Sequence, residues 1–404
     1  MHRRLEGNRM PFKIKTLNNI SQQGLKLLND GYAVSPSEAE PDAVLVRSAV
    51  VDTDEIPSML AIARAGAGVN NISIDKATEK GVCVFNTPGA NANAVAELVF
   101  IMLGIAARKI HKSLEFSQSL SSEADDKAIG EKVEKGKSQF SGFELQGKTL
   151  GVIGLGKIGV LAANAGLQHG MTVIGYDPFP TVANVHFLNP KAEIAHKLDD
   201  ILARADVLSV HVPLSDKTRN LIGAAQLAKA KNGVILMNYA RKGIYDDAAV
   251  IAALESGKVS NYITDFPTKA LLGRSNVICT PHLGASTAES EENCAVMAVN
   301  QLRNYLEYGV VVNSVNFPIT EAFPESSTRT RLAVINKDVP NMIAQVTQVV
   351  GAAGINIGSF TNASNGKIGY NIIDLDTDVP DSVVASIKAI PNVIRVRVLR
   401  FGQK

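Results

Sequence analysis

The sequence predicts an α/β protein made of two doubly wound parallel blocks followed by a βαββαβ tail. Three observations predict it. Short β-branched runs alternate with helical patterns through most of the 404 residues, the sign of parallel α/β units. A glycine-rich stretch, GVIGLGKIG, stands between an apolar run and a helical pattern. After a Pro- and Ser-bearing linker, FPITEAFPESS at 317–327, the pattern becomes strand, helix, two strands, helix, strand, the split ferredoxin-like order.

The first block opens at MPFKIKTLNNI, which reads as a natural start at Met10, so residues 1–9 are expected to form a disordered extension. Its strands fall at FKIKTL, DAVLVRS and VCVFN, with helices near SQQGLKLL and IDKATEKG. An apolar helix from Asn93 to about Arg108 closes it. The polar interval 117–139 then reads as a connecting segment with helical character. Strands of the second block fall at TLGVIG, MTVIGYD, DVLSVHVP, NGVILMN, YITDF and NVICTP. Beyond His282, STAESEENCAVMAVNQLRNYLEYG carries apolar residues three and four apart and reads as a long amphipathic helix leading out of that block. The tail supplies strands at RLAVINK, INIGSFTNAS, KIGYNIIDLD and NVIRVRVLR, with helices at VPNMIAQVTQVVGAAG and PDSVVASIKAI.

Composition narrows the function. Forty-one Lys and Arg against thirty-nine Asp and Glu leave a formal charge of +2, and no basic block recruits nucleic acid or an acidic membrane. The apolar run VAELVFIMLGIAA at 95–107 is too short to span a bilayer and carries Glu97. Three cysteines, an odd number, and no recognisable leader point to a reducing cytosol.

The chemistry starts at Gly154, Gly156 and Gly159. In this register the first glycine permits a tight turn, the second lets backbone amides approach a pyrophosphate, and the third lets helix and strand pack closely. The next strand ends in Asp177, eighteen residues past Gly159, where a carboxylate accepts hydrogen bonds from ribose hydroxyls. An acid there favours NAD over NADP. RAGAGVNN at 64–71 lacks such a frame and is no second dinucleotide site.

An enzyme that oxidises an alcohol with a nicotinamide must hold the substrate and take the hydroxyl proton. Strand ends in the second block offer Arg241, Asp265 and His282. Arginine clamps carboxylates through paired hydrogen bonds, and histidine trades protons near neutrality. A thiol nucleophile at Cys279 with His282 as base is the rival, disfavoured because an apolar strand raises a thiol's pKa. Metal catalysis has no support, since His169, His186, His196 and His211 show no ligand spacing.

GVIGLGKIG with Asp177, HVPLSDKTRNLI, NYARKGIYDD and TPHLGAST occur in the order seen in D-2-hydroxyacid dehydrogenases, which this chain resembles from Met10 onward. The tail resembles an ACT domain. With TDFPTKALLG at 264–273, it narrows the resemblance to members that oxidise 3-phosphoglycerate. Such a resemblance implies a flavodoxin-like substrate domain (10–108 plus 291–318), an inserted NAD-binding Rossmann domain (109–290) and an ACT domain (328–404). It also implies a homodimer through the cofactor domains or a homotetramer, with L-serine as a possible effector. For the coenzyme it implies Gly154, Gly156, Lys157, Ile158, Gly159, Asp177, His211, Val212, Pro213, Thr218, Asn238, Ala240, Asp265 and Gly284. Arg241 would bind the substrate carboxylate and His282 would take the proton. Ala67, Gly68, Val69 and Asn70 would cradle the carboxylate, and Arg47 and Ser48 would hold the phosphate. Family members often carry a second basic residue where this chain has Ala49. Asn336, Asp338 and Asn356 occupy effector positions, without the family's Pro-Gly pair. Most of the family has glutamate where Lys269 stands, and that acid pairs with the histidine. An ammonium there disfavours imidazolium, so Lys269 is expected to line the site, supplying a proton or meeting the phosphate. The alternatives are another D-2-hydroxyacid dehydrogenase and a non-catalytic NADH-sensing regulator.

Overall fold

The computed structural model describes residues 10–54 and 56–401; the expected extension at 1–9 lies outside the described residues. The chain divides into two compact units, residues 1–91 with 288–404, and residues 92–287. The first unit opens with β1 (Phe12–Leu17), α1 (Gln22–Leu25), β2 (Tyr32–Ser35), β3 (Ala43–Val46), β4 (Ala61–Arg64), α2 (Ile74–Glu79) and β5 (Cys83–Phe85). These strands form a parallel sheet in the order β2-β1-β3-β4-β5, the flavodoxin-like winding.

The second unit begins with α3 (Ala92–Ala107), α4 (Ile110–Ser119) and α5 (Asp126–Gly136). Then come β6 (Thr149–Ile153), α6 (Lys157–Gln168), β7 (Thr172–Tyr176), α7 (Val182–Val185), β8 (Glu193–Ile194), α8 (Leu198–Arg204) and β9 (Val207–Val210). It ends with α9 (Ala224–Lys229), β10 (Val234–Asn238), α10 (Asp247–Glu255), β11 (Val259–Thr264) and β12 (Val277–Cys279). Its seven parallel strands run β12-β11-β10-β9-β6-β7-β8, with the order reversing beside β6 as in a Rossmann sheet. The division falls at residue 92, where the sequence pattern suggests 109. Val99 and Leu103 of α3 are fully buried in one core with Leu150, Val152 and Ala163 of β6 and α6, and Phe100 stacks on His169 at 4.8 Å. The helix therefore packs with the inserted block.

The chain re-enters the first unit through α11 (Ala288–Tyr308). This helix lies so close to α1 that a Cβ on Gly24 would stand 2.7 Å from the backbone carbon of Ala295. The tail follows as β13 (Thr330–Lys337), α12 (Met342–Ala352), β14 (Ile357–Ser364), β15 (Ile368–Leu375), α13 (Asp381–Lys388) and β16 (Val393–Arg400). These make an antiparallel sheet ordered β14-β15-β13-β16, the ACT-like topology. Alternate residues of β13 face two cores. Leu332 and Val334 pack with Val346, Val350 and Ile387 of the tail helices, while Ala333 and Ile335 share a core with Phe85, Leu302 and Tyr305. The tail thus belongs to the same unit as the first block.

Candidate active site

The glycine turn after β6 has a separate steric cause at each position. Gly154 has φ +91°, and a Cβ there would lie 2.7 Å from the His211 carbonyl oxygen. At Gly159 a Cβ would fall 1.8 Å from the Gly154 oxygen, so α6 can press on the turn only with hydrogen at that place. A Cβ on Gly156 would meet nothing within 4 Å. That open space lies at the start of α6, where Lys157 and Ile158 form the first turn, and a helix N-terminus suits a pyrophosphate. Asp177, beyond β7, accepts from the Leu155 amide at 2.9 Å and the Phe179 amide at 2.8 Å. Its carboxylate is thereby fixed beside the turn. The residues fit a dinucleotide.

His211 leads out of β9, its amide donating to Ile153 at 2.7 Å. The ring nitrogen Nε2 lies 2.9 Å from Ser209 Oγ, Nδ1 is buried without a partner, and burial lowers the imidazole pKa to about 4. Val212 closes on the glycine turn, 2.8 Å from where a Gly154 Cβ would stand. Thr218 donates to the Pro213 carbonyl at 2.6 Å and accepts from the Ser215 amide at 2.8 Å, which makes it a brace for the loop.

At the ends of β10, β11 and β12 the second cluster forms. Buried Asn238 donates to the Arg241 carbonyl at 3.0 Å and accepts from the Ala240 amide at 3.2 Å, shaping the turn that presents Arg241. Arg241 is exposed, with Nη1 on the Ala240 carbonyl at 2.7 Å. Asp265 is only 2 % exposed and does more than stand near a nicotinamide. Its carboxylate accepts from Thr280 Oγ1 at 2.6 Å and from the amides of Leu283 and Gly284 at 2.8 Å each, tying down the loop that carries His282. His282 takes φ +59°, a left-handed conformation that costs a branched or ring-bearing residue about 1–3 kcal/mol and gathers at functional sites. Its amide is anchored to the carbonyls of Asp265 and Thr280 at 3.1 and 3.0 Å. The imidazole is exposed beside Phe266, ring centres 5.1 Å apart, a neighbour that the sequence pattern did not single out. Lys269 is exposed, on a turn secured by Thr268, whose hydroxyl bonds to Asp247 at 3.2 Å. Burial and the charge of Asp247 raise the Cys279 thiol above its ordinary pKa, against a thiolate nucleophile.

The other predicted residues lie in the first unit. Arg47 follows β3 and pairs with Glu291 at 2.5 Å. The amides of Ser48 and Ala49 donate to Asn18 Oδ1 at 2.9 and 2.8 Å. Arg64, which sequence reading passed over, binds this region together. Its Nε donates to the Arg47 carbonyl at 2.9 Å and its Nη1 to the Gly68 carbonyl. Asn86 holds the Ala67 carbonyl at 2.6 Å, so the stretch Ala67, Gly68, Val69 and Asn70 is pinned at its first two residues. A four-residue buried strand ending in arginine was the available signal.

The three effector positions do not gather within one chain. Buried Asn336 spends its amide on the Lys337 carbonyl and its oxygen on Asn371, both at 2.7 Å, and Asp338 accepts from Ser364. Through Gly369, Asn336 lies in register with Ser364, at the end of β14. Asn356 precedes Ile357, at the opposite end of that strand. Register therefore separates it from the other two.

Comparison with known proteins agrees with this geometry. Residues 112–284 match the D-isomer specific 2-hydroxyacid dehydrogenase, NAD binding domain family. A D-3-phosphoglycerate dehydrogenase of Methanocaldococcus jannaschii is 36% identical over 289 residues, 69% of this chain and 52% of the relative; the chain thus spans about half the length of such relatives. A D-3-phosphoglycerate dehydrogenase of Haemophilus influenzae is 31% identical over 357 residues, covering 85% of this chain and 82% of the relative. Among solved structures, the NAD+-bound 3-phosphoglycerate dehydrogenase of Entamoeba histolytica aligns with a TM-score of 0.60 at 27% identity, over 76% of this chain and 99% of that one. With the glycine turn, Arg241 and His282 in the family's order and the match reaching across most of a full-length relative, the chain belongs to the D-isomer specific 2-hydroxyacid dehydrogenases.

Proposed function

We propose that this protein oxidises 3-phospho-D-glycerate to 3-phosphohydroxypyruvate with NAD, the first step of phosphorylated serine biosynthesis. The observation that carries the reading is His282, held in a left-handed conformation on a loop anchored by Asp265, with Arg241 beyond the carboxyl end of β10, two strands away in the same sheet. The amides at the start of α6 hold the coenzyme pyrophosphate and Asp177 meets the adenosine ribose. NAD, when bound, accepts the hydride from the substrate carbon. Arg241 binds the carboxylate through its guanidinium, and the His282 imidazole takes the hydroxyl proton. Lys269 supplies a cation where an acid would otherwise raise the basicity of His282. It meets the phosphate or, in the reverse reduction, supplies a proton. In the first unit, Arg47 and Ser48 receive the phosphate and the backbone from Ala67 to Asn70 receives the carboxylate.

The test is NADH production by the purified protein with D-3-phosphoglycerate, beside D-glycerate and D-lactate, with His282→Ala as control. Oxidation of phosphoglycerate alone, lost in the variant, supports the proposal. NAD binding without oxidation of any of the three refutes it and favours a sensor.

The protein is further proposed to be a homo-oligomer, because Ile101, Ile110 and Leu114 of α3 and α4 are exposed apolar residues; a monomeric sedimentation coefficient refutes this. For the tail, L-serine is the proposed effector. Antiparallel pairing of two β14 edges would bring one chain's Asn356 toward another's Asp338, the juxtaposition that a single chain lacks. Calorimetry without heat on adding L-serine removes the idea.

A further inference from the structure

At the amino ends of the second unit's strands lies a cavity of about 620 Å³, within the range of small-molecule sites. Asp206 precedes β9, Gly233 precedes β10, Ser260 is the second residue of β11 and Asn276 precedes β12, and all four line it. The coenzyme turn, Arg241 and His282 stand at the carboxyl ends of the same parallel sheet. The cavity is therefore separate from the active site, about 15 Å away along a strand of four or five residues.

Its walls are basic. Lys109, Lys112, Lys148 and Lys231 line it against a single acid, Asp206. Lys231 is neutralised by Asp206 at 2.9 Å, whereas Lys112 and Lys148 form no ion pair among the described residues. Lys148 stands 6.0 Å over the Phe143 ring. Lys109 adopts φ +52°, a conformation uncommon for a side chain of this kind, and it opens α4, whose start has no side-chain cap. His111, in the first turn of that helix, presents Nδ1 buried and without a partner. The wall is rigid as well, for Gly142 lies against the end of α3 so closely that a Cβ would come within 2.0 Å of the Ala107 oxygen.

A recess lined by one sign of charge concentrates counter-ions. Lysines shared across a cavity suit a point-charged, multivalent anion better than a planar monocarboxylate. We propose that this cavity binds a small polyanion, a phosphate-bearing metabolite whose charges are shared among Lys109, Lys112 and Lys148.

Titration calorimetry of the full chain tests this, with NADH kept saturating so that the coenzyme turn is filled. Inorganic pyrophosphate and fructose 1,6-bisphosphate serve as separate probes, distinguishing a free phosphate from a sugar phosphate. Saturable heat with either probe is expected, and Lys112→Ala and Lys148→Ala should each weaken it about tenfold, the loss of one charge-assisted hydrogen bond. Both lysines are exposed, so NADH affinity and melting temperature should not change. Absence of heat overturns the proposal. So does equal affinity in the variants, which would place the anion elsewhere, beside Arg47 for instance. A change confined to the sedimentation coefficient, showing that a second copy fills the cavity, overturns it too.

Discussion

Replacing Asp265 by asparagine isolates the part its carboxylate plays. Oδ1 accepts from the Thr280 hydroxyl and the Leu283 amide, and Oδ2 accepts from the Gly284 amide. An asparagine oxygen can keep the first two bonds, but its NH2 then faces the Gly284 N–H, donor against donor. One charge-assisted bond is lost and a buried amide is orphaned, and the two surviving bonds lose their charge. Together these amount to about 3 kcal/mol. For a unit of this size that lowers the melting temperature by about 6–12 °C, read by scanning calorimetry. Because the same loop fixes His282, kcat should fall by about 100-fold, the cost of misplacing a reacting group by roughly 1 Å. Retained thermal stability with lost turnover would refute positioning and assign Asp265 to the chemistry. Lost stability with full turnover would show that the loop does not govern His282.

Two glycine substitutions should part company. Gly159→Ala drives a Cβ to 1.8 Å from the Gly154 oxygen and should abolish folded protein, whereas Gly156→Ala meets open space and should keep its melting temperature yet weaken NADH about tenfold, measured by fluorescence titration; equal behaviour refutes the assignment. The His211 pKa is lowered to about 4 by burial, while the unfolded chain takes that proton near pH 6.5. Stability from this group is therefore full above about pH 6.5 and lost as pH falls toward 4, by about 2 kcal/mol at pH 5. Urea titrations at pH 7 and pH 5 check this against His211→Asn, and an unchanged difference between the two pH values in the variant refutes it. Lys269→Ala should leave stability alone and raise KM for phosphoglycerate about tenfold; unchanged turnover and pH profile would leave the lysine facing water.

The glycine turn was legible because each glycine answers a local demand: a positive φ at Gly154, close packing at Gly159, open approach at Gly156. The βαββαβ tail was legible for a similar reason, since its strands are long and its turns marked. Short strands were read only in part: β3, β5, β9 and β12 were found, but others were not. AIAR, now β4, has three fully buried residues and an arginine, too brief for any alternation, and β2 and β8 were missed likewise. The short run AIAR could mark Arg64 as a strand end, but not its role, because its partners are the backbone carbonyls of Arg47 and Gly68, which look alike in every sequence. The boundary at residue 92 was hidden because a helix apolar around most of its surface says that it is buried without saying against what.

The segment 317–327 reads as a tether, yet it is built into the first unit. Thr320 exchanges backbone hydrogen bonds with Val311 at 2.9 and 3.0 Å. The fully buried Arg331 donates to both oxygens of Asp374 at 2.6 and 2.7 Å, and also to the carbonyls of Tyr308 and Ala322. Arg397 caps the last turn of α11 through the carbonyls of Tyr305 and Leu306, and Arg395 reaches the Met59 carbonyl at 2.6 Å. Separating the tail would break these guanidinium–carbonyl hydrogen bonds, each worth about 1.5–3 kcal/mol. The tail is therefore fixed on the block that carries Arg47 and Arg64, and β14, the sheet edge away from these contacts, is its remaining surface for a partner. A ligand that reshapes the tail sheet would act on Ala333, Ile335 and Tyr370, and through them on the core shared with α11 and β4. Packed cores of this kind respond by discrete rearrangement rather than gradual bending. Control from the tail, if a ligand exerts it, would thus pass through side-chain packing rather than through swing about a linker.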